Sequence, residues 1–216
     1  MVGDERWPDA PPRQVLEPAS IRRECEASLH RLGVERIDLY QFHWPDQSGT
    51  PIEDSWEAMT RLVEAGQPPL SLIRRQVADS EIPWCAAHKT GVIGYSPLQS
   101  GLLTDRFSEK RVESMAEDDW RRRSPDFRSP RLGRILALRD ALRPVAEGHA
   151  TTVSAVAIAW TLAWPGVTGA IVGARSPAQV DGWIGGATLE LTLEDLDEIA
   201  RAIERSGAGA GPALPK

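Results

Sequence analysis

Cysteine, tyrosine and lysine are scarce in this sequence, and long apolar runs are missing from it. The two cysteines, Cys25 and Cys85, have no second ligand nearby at metal spacing, so the sequence predicts neither a metal site nor a disulfide framework. No stretch of about 18 apolar residues is present to span a bilayer. Residues 1–6 contain neither a basic segment nor an apolar one, which argues against a signal peptide. These absences predict a soluble, cytoplasmic protein.

Positive charge is also limited, because 31 acidic residues outnumber 25 basic ones and give a net charge of −6. This balance argues against a nucleic acid or a membrane surface as a partner. The basic run 121–123 directly follows the acidic run 117–119, so we interpret it as a charge-balanced, solvated segment. With 216 residues and 41% apolar content, the chain is long enough for one buried domain. It is shorter than the ~250 residues of a typical complete (β/α)₈ barrel.

Helix and strand patterns alternate along the chain. Ser20 is predicted to cap a helix that ends at Gly33, and the last helix is predicted to begin at Thr192. Short apolar runs predict four strands, at about 37–42, 67–72, 92–95 and 168–172. This alternation suits βαβ units, so the sequence predicts an α/β fold with a parallel sheet.

Three segments lack a clear period. Residues 1–18 contain four prolines and many charges, which predicts a disordered leader or the remnant of a loop. Residues 105–130 are highly charged and are predicted to form a long surface loop of the kind that often covers a site. Residues 206–216 are rich in glycine, alanine and proline, which predicts a flexible tail. A single domain is therefore expected over residues 19–205.

Two junctions carry candidate functional residues. The first strand ends at His43 and Trp44, the position at which α/β barrels place catalytic side chains. Taken alone, a histidine at a strand end is more often structural, and Trp44 either lines a pocket or covers the barrel rim. The last strand leads into Arg175 and into a helix start at Ser176, which together offer donors to an anion. Taken alone, most such junctions are only a turn and a helix cap.

Three stretches together resemble the aldo/keto reductase family. They occur in the family's order and are residues 37–46 (IDLYQFHWPD), 91–104 (GVIGYSPLQSGLLT) and 170–179 (AIVGARSPAQ). The resemblance implies a (β/α)₈ barrel that binds NADPH across its C-terminal mouth and reduces an aldehyde or a ketone. It also implies a catalytic tetrad of Asp, Tyr, Lys and His, in which Tyr donates the proton.

The resemblance assigns roles to individual residues. His43 resembles the tetrad histidine, and Trp44 is a candidate for the substrate pocket. Gln67 resembles the glutamine that binds the nicotinamide carboxamide, and Tyr95 resembles the aromatic residue that stacks on the nicotinamide ring. Other matched positions imply contacts with the pyrophosphate, at Ser96, Leu98 and Gly101, and with the adenosine phosphate, at Gly173, Arg175, Ser176 and Gln179.

The sequence departs from the family pattern in two places. The tetrad Asp, Tyr and Lys belong to family segments that would precede Met1. Between Gly66 and Gln67 the family has a further strand, which ends in Ser-Asn, and a helix. We therefore expect a truncated and internally deleted member, a partial (β/α)₈ barrel of about four parallel strands with weakened NADPH binding.

Three hypotheses follow from these departures. The first is an aldo/keto reductase-like oxidoreductase by descent, whose isolated chain lacks most of the tetrad. The second is a non-catalytic remnant that binds NADPH or a partner chain, with open sheet edges that favour self-association. The third is a shortened gene model of a full reductase.

Overall fold

The structure of this chain is a computed structural model, and it describes residues 15–34, 37, 46, 48–60, 65–66 and 68–215. The chain divides into two compact units, residues 1–67 with 89–91 and residues 68–88 with 92–216. The regular elements are α1 (Pro18–Leu32), α2 (Ile52–Thr60), β1 (Ala65–Gly66), α3 (Glu81–Ala87), β2 (Gly91–Tyr95), α4 (Glu109–Glu113), α5 (Arg131–Ala141), α6 (Arg143–Gly148), α7 (Val153–Leu162), β3 (Val167–Ile171), α8 (Pro177–Asp181) and α9 (Leu193–Ser206). The predicted domain bounds of 19–205 stay a prediction.

In the first unit, α1 packs against α2. The prediction that Ser20 caps α1 is wrong, because the helix begins at Pro18 and the side chain of Glu17 at the cap position makes no capping bond. Proline suits the first turn, since its fixed φ is helical and its missing N–H would have no partner there. The helix ends as predicted at Gly33, which is left-handed with a φ of 66°.

The second unit contains a parallel sheet. Residues 92–95 of β2 pair in parallel with β3, and Tyr95 lies opposite Ile171. Beside β2, the segment that begins at Pro68 makes a single parallel bridge between Pro69 and Tyr95. This segment was predicted as the strand 67–72; it pairs only briefly, because two consecutive prolines supply no N–H to a ladder.

The α/β class is therefore confirmed, whereas the count of four strands stays a prediction. The predicted strand 37–42 lies outside the described residues apart from Ile37. The strands predicted at 92–95 and 168–172 agree with β2 and β3 to within a residue. No helix in the described part of the chain is long and apolar enough to cross a membrane.

Helix α7 is part of the core of the second unit. It is apolar on most faces, as predicted for a helix that packs on a sheet, and nearly all of its residues are buried. Thr152 fixes its start, since the hydroxyl accepts a hydrogen bond from Ala155 N at 3.0 Å. The same core contains side chains from β2, α5 and α9, including Val92, Ile135, Leu138, Ile199 and Ile203.

Residues 105–130 are more ordered than the predicted surface loop. They contain α4 and two 3₁₀ turns, Trp120–Arg123 and Pro125–Phe127. Phe127 is buried and makes edge contacts with the rings of Phe107 and Trp120 at 5.8 and 6.0 Å. Three aromatic rings in a segment of mostly charged residues supply the apolar contacts that sequence periodicity did not reveal.

The C-terminal segment is anchored as far as Gly211, which differs from the predicted flexible tail. Ala210 N donates to Ile73 O at 3.2 Å, and Arg75 N donates to Ala210 O at 3.0 Å. The guanidinium of Arg75 reaches the carbonyl oxygens of Ala208 and Gly211 at 3.1 and 3.2 Å. Gly209 permits this approach, since its φ is 73° and a Cβ there would overlap the Ile73 carbonyl.

Candidate functional site

The candidate site lies at one edge of the sheet in the second unit. Because β2 and β3 are parallel and Tyr95 lies opposite Ile171, both strands end at the same edge. The segments 96–101 and 173–179 follow these two strand ends, and we call them the first and second site loops. The carboxyl ends of parallel strands are where α/β proteins bind ligands. Seven of the residues assigned from the sequence therefore lie in two neighbouring loops, and Tyr95 lies at the strand end beside them.

The first site loop has an unusual backbone. Ser96, Gln99 and Ser100 have φ values of 57°, 45° and 55°, and Gly101 has a φ of 99°. Backbone hydrogen bonds close the turn, from Gln99 N to Ser96 O at 2.9 Å and from Gly101 N to Leu98 O at 3.0 Å. Left-handed conformations are disfavoured for residues other than glycine, and they cluster at sites where ligands bind.

This conformation separates the side chains of the first site loop. Ser96 and Ser100 are exposed, and neither hydroxyl has a hydrogen-bond partner among the described residues. Leu98 is partly buried and packs against the core, so it would meet a ligand mainly through its backbone. Gln99 is buried, at 7% exposure. The loop thus presents the hydroxyl groups of Ser96 and Ser100 to solvent, while the side chains of Leu98 and Gln99 attach it to the protein interior.

Tyr95 joins the sheet to this loop. Its backbone N donates to Pro68 O at 3.0 Å, and its carbonyl accepts from Leu70 N at 3.1 Å. The strand has neighbours on both sides at this point, which fixes the direction in which the Tyr95 side chain leaves the backbone. Its side chain is only partly buried.

In the second site loop Gly173, Arg175, Ser176 and Gln179 are all exposed. The predicted helix start is confirmed at Pro177, but α8 has only five residues, so the expected contribution of its dipole is small. The side chain of Ser176 makes no capping bond. Instead, Gln179 Oε1 accepts from Arg175 N at 2.7 Å and fixes the turn. The guanidinium of Arg175 makes no hydrogen bond to the described residues.

A carboxylate lies within electrostatic range of Arg175. Asp119 is bonded to Arg121, with Asp119 Oδ1 at 3.0 Å from both the backbone N and Nε of Arg121. Hydrogen bonds from Arg121 lower the pKa of Asp119 to about 2, and the positive charge of Arg175 contributes to this shift. The segment 117–123 is therefore within electrostatic range of the second site loop.

In the first unit, Asp46 organises the chain that follows His43 and Trp44. Its carboxylate accepts from Leu16 N at 2.6 Å and from three further backbone N–H groups, of Ser48, Gly49 and Thr50, at 2.6–2.9 Å. Burial would raise the pKa of Asp46, but these hydrogen bonds outweigh it and hold the pKa well below its usual range. The predicted residues His43, Trp44 and Gln67 lie outside the described residues.

Sequence reasoning missed a buried group behind the first site loop. Gln99 contacts Ser71 and Asp126, which lie in segments that the sequence did not connect with this site. The sequence offered no clear signal, since Gln99 is followed by the polar residue Ser100 and by Gly101. Within the described ranges, no group of three or more His, Cys, Asp or Glu side chains is arranged to hold a metal ion.

Comparison with known proteins decides the family. The model of the aldo/keto reductase family matches residues 4–67 and 67–204. The chain belongs to the aldo/keto reductase family. The match consists of two segments that meet at residue 67, where the sequence departs from the family pattern.

Among curated proteins, the chain is similar to the aldo-keto reductase YhdN of Bacillus subtilis, with 31% identity over 87% of this chain and 64% of that protein. It is 29% identical to the aldo-keto reductase str7 of Strobilurus tenacellus, over 88% of this chain and 65% of that protein. A third relative, from Escherichia coli, is named an NADH-specific methylglyoxal reductase, with 27% identity over 88% of this chain and 67% of that protein. The chain spans about two thirds of the length of each of these relatives.

A solved structure supports the same fold. The glycerol dehydrogenase AKR11B4 from Gluconobacter oxydans has a TM-score of 0.73 and 30% identity, and the match covers 98% of this chain and 71% of that one. The aldo/keto reductase barrel fold is therefore shown for this chain. The extent of the partial barrel stays a prediction.

Proposed function

We propose that this chain supplies the cofactor-binding part of an NADPH-dependent reductase of aldehydes or ketones. One observation carries the proposal: β2 and β3 end in register, so that the two site loops leave the sheet at the same edge. These are the loops in which family resemblance places the contacts with the pyrophosphate and with the adenosine phosphate. The proposal therefore rests on two independent supports, the sequence motifs and the register of the strands.

The donor set at this edge fits a dinucleotide. Ser96 and Ser100 offer exposed hydroxyls, which suit phosphate oxygens. Arg175 offers a guanidinium that is not committed to a hydrogen bond within the described residues, and such a group can hold a phosphate through two parallel bonds. Gly173 adds no side chain, and the space where its Cβ would lie is open. In this proposal Tyr95 lies against the nicotinamide ring.

The adenosine phosphate decides between NADPH and NADH. One relative is named NADH-specific, so the family resemblance alone does not fix the choice. We favour NADPH because Arg175 and the hydroxyl of Ser176 lie together and exposed, where an additional phosphate would find charge-assisted donors. Asp119 opposes this preference to a small degree, since its negative charge acts on the same arginine.

Carbonyl reduction requires a hydride donor and an acid that protonates the forming alkoxide. A bound nicotinamide cofactor supplies the hydride. Within this chain we propose that His43 orients the substrate carbonyl and that Trp44 lines the pocket. No residue of this sequence matches the tetrad Asp, Tyr or Lys, and general acid–base help is typically worth about 10²–10⁴-fold. We therefore expect the 216-residue chain alone to bind NADPH and to turn over slowly.

A second candidate is a non-catalytic remnant that binds the dinucleotide without reducing a carbonyl. The split family match favours it, because both matched segments meet at residue 67, and the two compact units are also divided after residue 67. This is where we propose the internal deletion. A loss of a strand and a helix at this junction would remove the family's Ser-Asn pair but leave both site loops intact.

The binding experiment uses fluorescence titration of the wild-type chain with NADPH and NADH. Arg175→Met is the test variant, and Arg134→Met, which removes an exposed arginine of α5, is the matched control. We expect Arg175→Met to weaken NADPH binding by about tenfold and NADH binding much less, since a charge-assisted bond to phosphate is lost. Equal affinities in all three proteins would contradict the assignment of the second site loop.

A turnover experiment separates the two candidates. Aldehyde-dependent oxidation of NADPH is followed for the wild-type chain and for His43→Ala. Slow turnover that falls further in His43→Ala supports a reductase by descent. Binding of NADPH with no turnover in either protein supports the non-catalytic remnant.

A further inference from the structure

Gln99 is a buried polar residue in the middle of a loop whose two serines face solvent. Its side chain is bonded at both ends. Oε1 accepts a hydrogen bond from the Ser71 hydroxyl at 3.1 Å, and Nε2 donates to Asp126 Oδ2 at 2.9 Å. Ser71, Gln99 and Asp126 are 1%, 7% and 4% exposed, and we call these three residues the Gln99 network.

Both partners of Gln99 are themselves fixed. The Ser71 hydroxyl oxygen accepts from Ile73 N at 3.2 Å and from Arg74 N at 3.1 Å, which orients its proton toward Gln99. Asp126 is paired with Arg131 at 3.0 Å and lies 3.7 Å from the guanidinium of Arg74. The network therefore ties the first site loop to two other segments, residues 71–75 and 125–127.

The conformation of the loop requires such a tie. Gln99 itself has a φ of 45°, and Ser96 and Ser100 in the same loop have φ values of 57° and 55°. Residues other than glycine stay in this region only when the surrounding structure holds them there. A buried amide with both ends bonded provides that hold, because any relaxation of the Gln99 backbone would leave buried donors and acceptors without partners.

We propose that Gln99 is a positioning residue for the dinucleotide: through Ser71 and Asp126 it fixes the first site loop in the conformation that presents Ser96 and Ser100 to the pyrophosphate. The inference rests on the proposed function and deepens it. Gln99 does not touch the cofactor, since its side chain is on the buried side of the loop. Its contribution is to keep the loop ready, so that binding does not have to order it.

The test compares Gln99→Leu with Gln99→Glu. Leucine removes both hydrogen bonds at similar volume, and we expect NADPH affinity to fall by about tenfold relative to wild type. Glutamate places a second carboxylate group beside Asp126 in place of the amide N–H that bonds it. At pH 8 this variant should bind as weakly as Gln99→Leu. Glutamate keeps the acceptor for the Ser71 hydroxyl but has no N–H for Asp126, so this variant tests the bond to Asp126 alone.

The control is Ile203→Val, a small core change on α9 that lies outside the Gln99 network. It should lower thermal stability slightly and leave NADPH affinity unchanged. Affinities in both Gln99 variants that equal wild type would overturn the proposal.

Amide hydrogen exchange without cofactor keeps this test separate from the proposed function. Gln99→Leu should speed exchange in residues 96–104 and leave α9 unchanged. If wild type binds neither nucleotide, the proposed function fails, and the exchange result still decides whether Gln99 holds the loop. Unchanged exchange in residues 96–104 would refute the positioning role in every case.

Discussion

Replacing Arg75 with methionine is expected to loosen the attachment of the C-terminal segment to residues 72–75. Arg75 is 3% exposed, and its guanidinium donates to the carbonyl oxygens of Leu72, Ala208 and Gly211. Gly211 is exposed, so water can replace the arginine at its carbonyl. The carbonyls of Leu72 and Ala208 are in buried residues, and each would lose a partner at a cost of about 1–2 kcal/mol.

The sum is a loss of about 2–4 kcal/mol in the free energy of unfolding. Removing the buried cation offsets part of this loss, because a charged side chain that is 3% exposed is costly to desolvate; the same burial lowers the pKa of Arg75. We therefore expect about 2–3 kcal/mol by urea denaturation. Amide exchange at Ala210, whose N–H donates to Ile73 O at 3.2 Å, should speed up in parallel.

Arg143→Met is the matched control for this prediction. Arg143 also bonds a carboxylate and a backbone carbonyl, Asp140 Oδ1 at 3.0 Å and Asp105 O at 3.2 Å. Its side chain is 42% exposed, so its loss should cost below about 1 kcal/mol. If Arg75→Met costs no more than Arg143→Met, or if exchange at Ala210 does not change, the account of the anchored segment is refuted.

Three further predictions concern charge and titration. Asp119→Asn should strengthen NADPH binding about twofold to fivefold and leave NADH binding nearly unchanged in paired titrations, since it removes a screened negative charge near Arg175; equal gains for both nucleotides would contradict this. Burial would raise the pKa of Asp195, but its hydrogen bonds, including one from His149 Nε2 at 2.9 Å, hold it below the ordinary 3.8. The stabilisation from Asp195 is therefore lost as the pH falls through its lower native-state pKa. The advantage of wild type over Asp195→Asn in denaturation should shrink as the pH falls below 4. Burial, with Glu81 nearby, raises the pKa of Cys85 to about 11, so mass spectrometry should find it unmodified by iodoacetamide at pH 8 in the folded chain; rapid modification would show that the site opens.

The strand that ends at Tyr95 could be predicted from the sequence, whereas the backbone conformation of the loop after it could not. The short apolar run predicts strand β2, and the motif Ser96 to Gly101 indicated a phosphate site by resemblance. The left-handed φ of Gln99 leaves no trace in the sequence, since glycine is the usual signal for such a backbone. It depends on Asp126, 27 residues further along the chain.

The C-terminal segment was predicted to be flexible, whereas its backbone is hydrogen-bonded to Ile73 and Arg75. Its glycines predict flexibility, because glycine loses more conformational freedom on folding than any other residue. Here Gly209 and Gly211 are the residues that let the backbone approach Ile73 and Arg75 closely. A glycine-rich tail and a glycine-rich docking segment have the same composition, and only the buried Arg75 distinguishes them. Residues 105–130 were predicted to form a surface loop because most of them are charged, and this composition did not indicate that Phe127 is buried.

The most direct test of the central claim is to map where NADPH slows amide exchange in the wild-type chain. The account predicts protection in both site loops, residues 96–101 and 173–179, and none in α9. Protection in both loops would place the dinucleotide at the shared edge of β2 and β3. Protection confined to other segments, or none at saturating NADPH, would contradict the account.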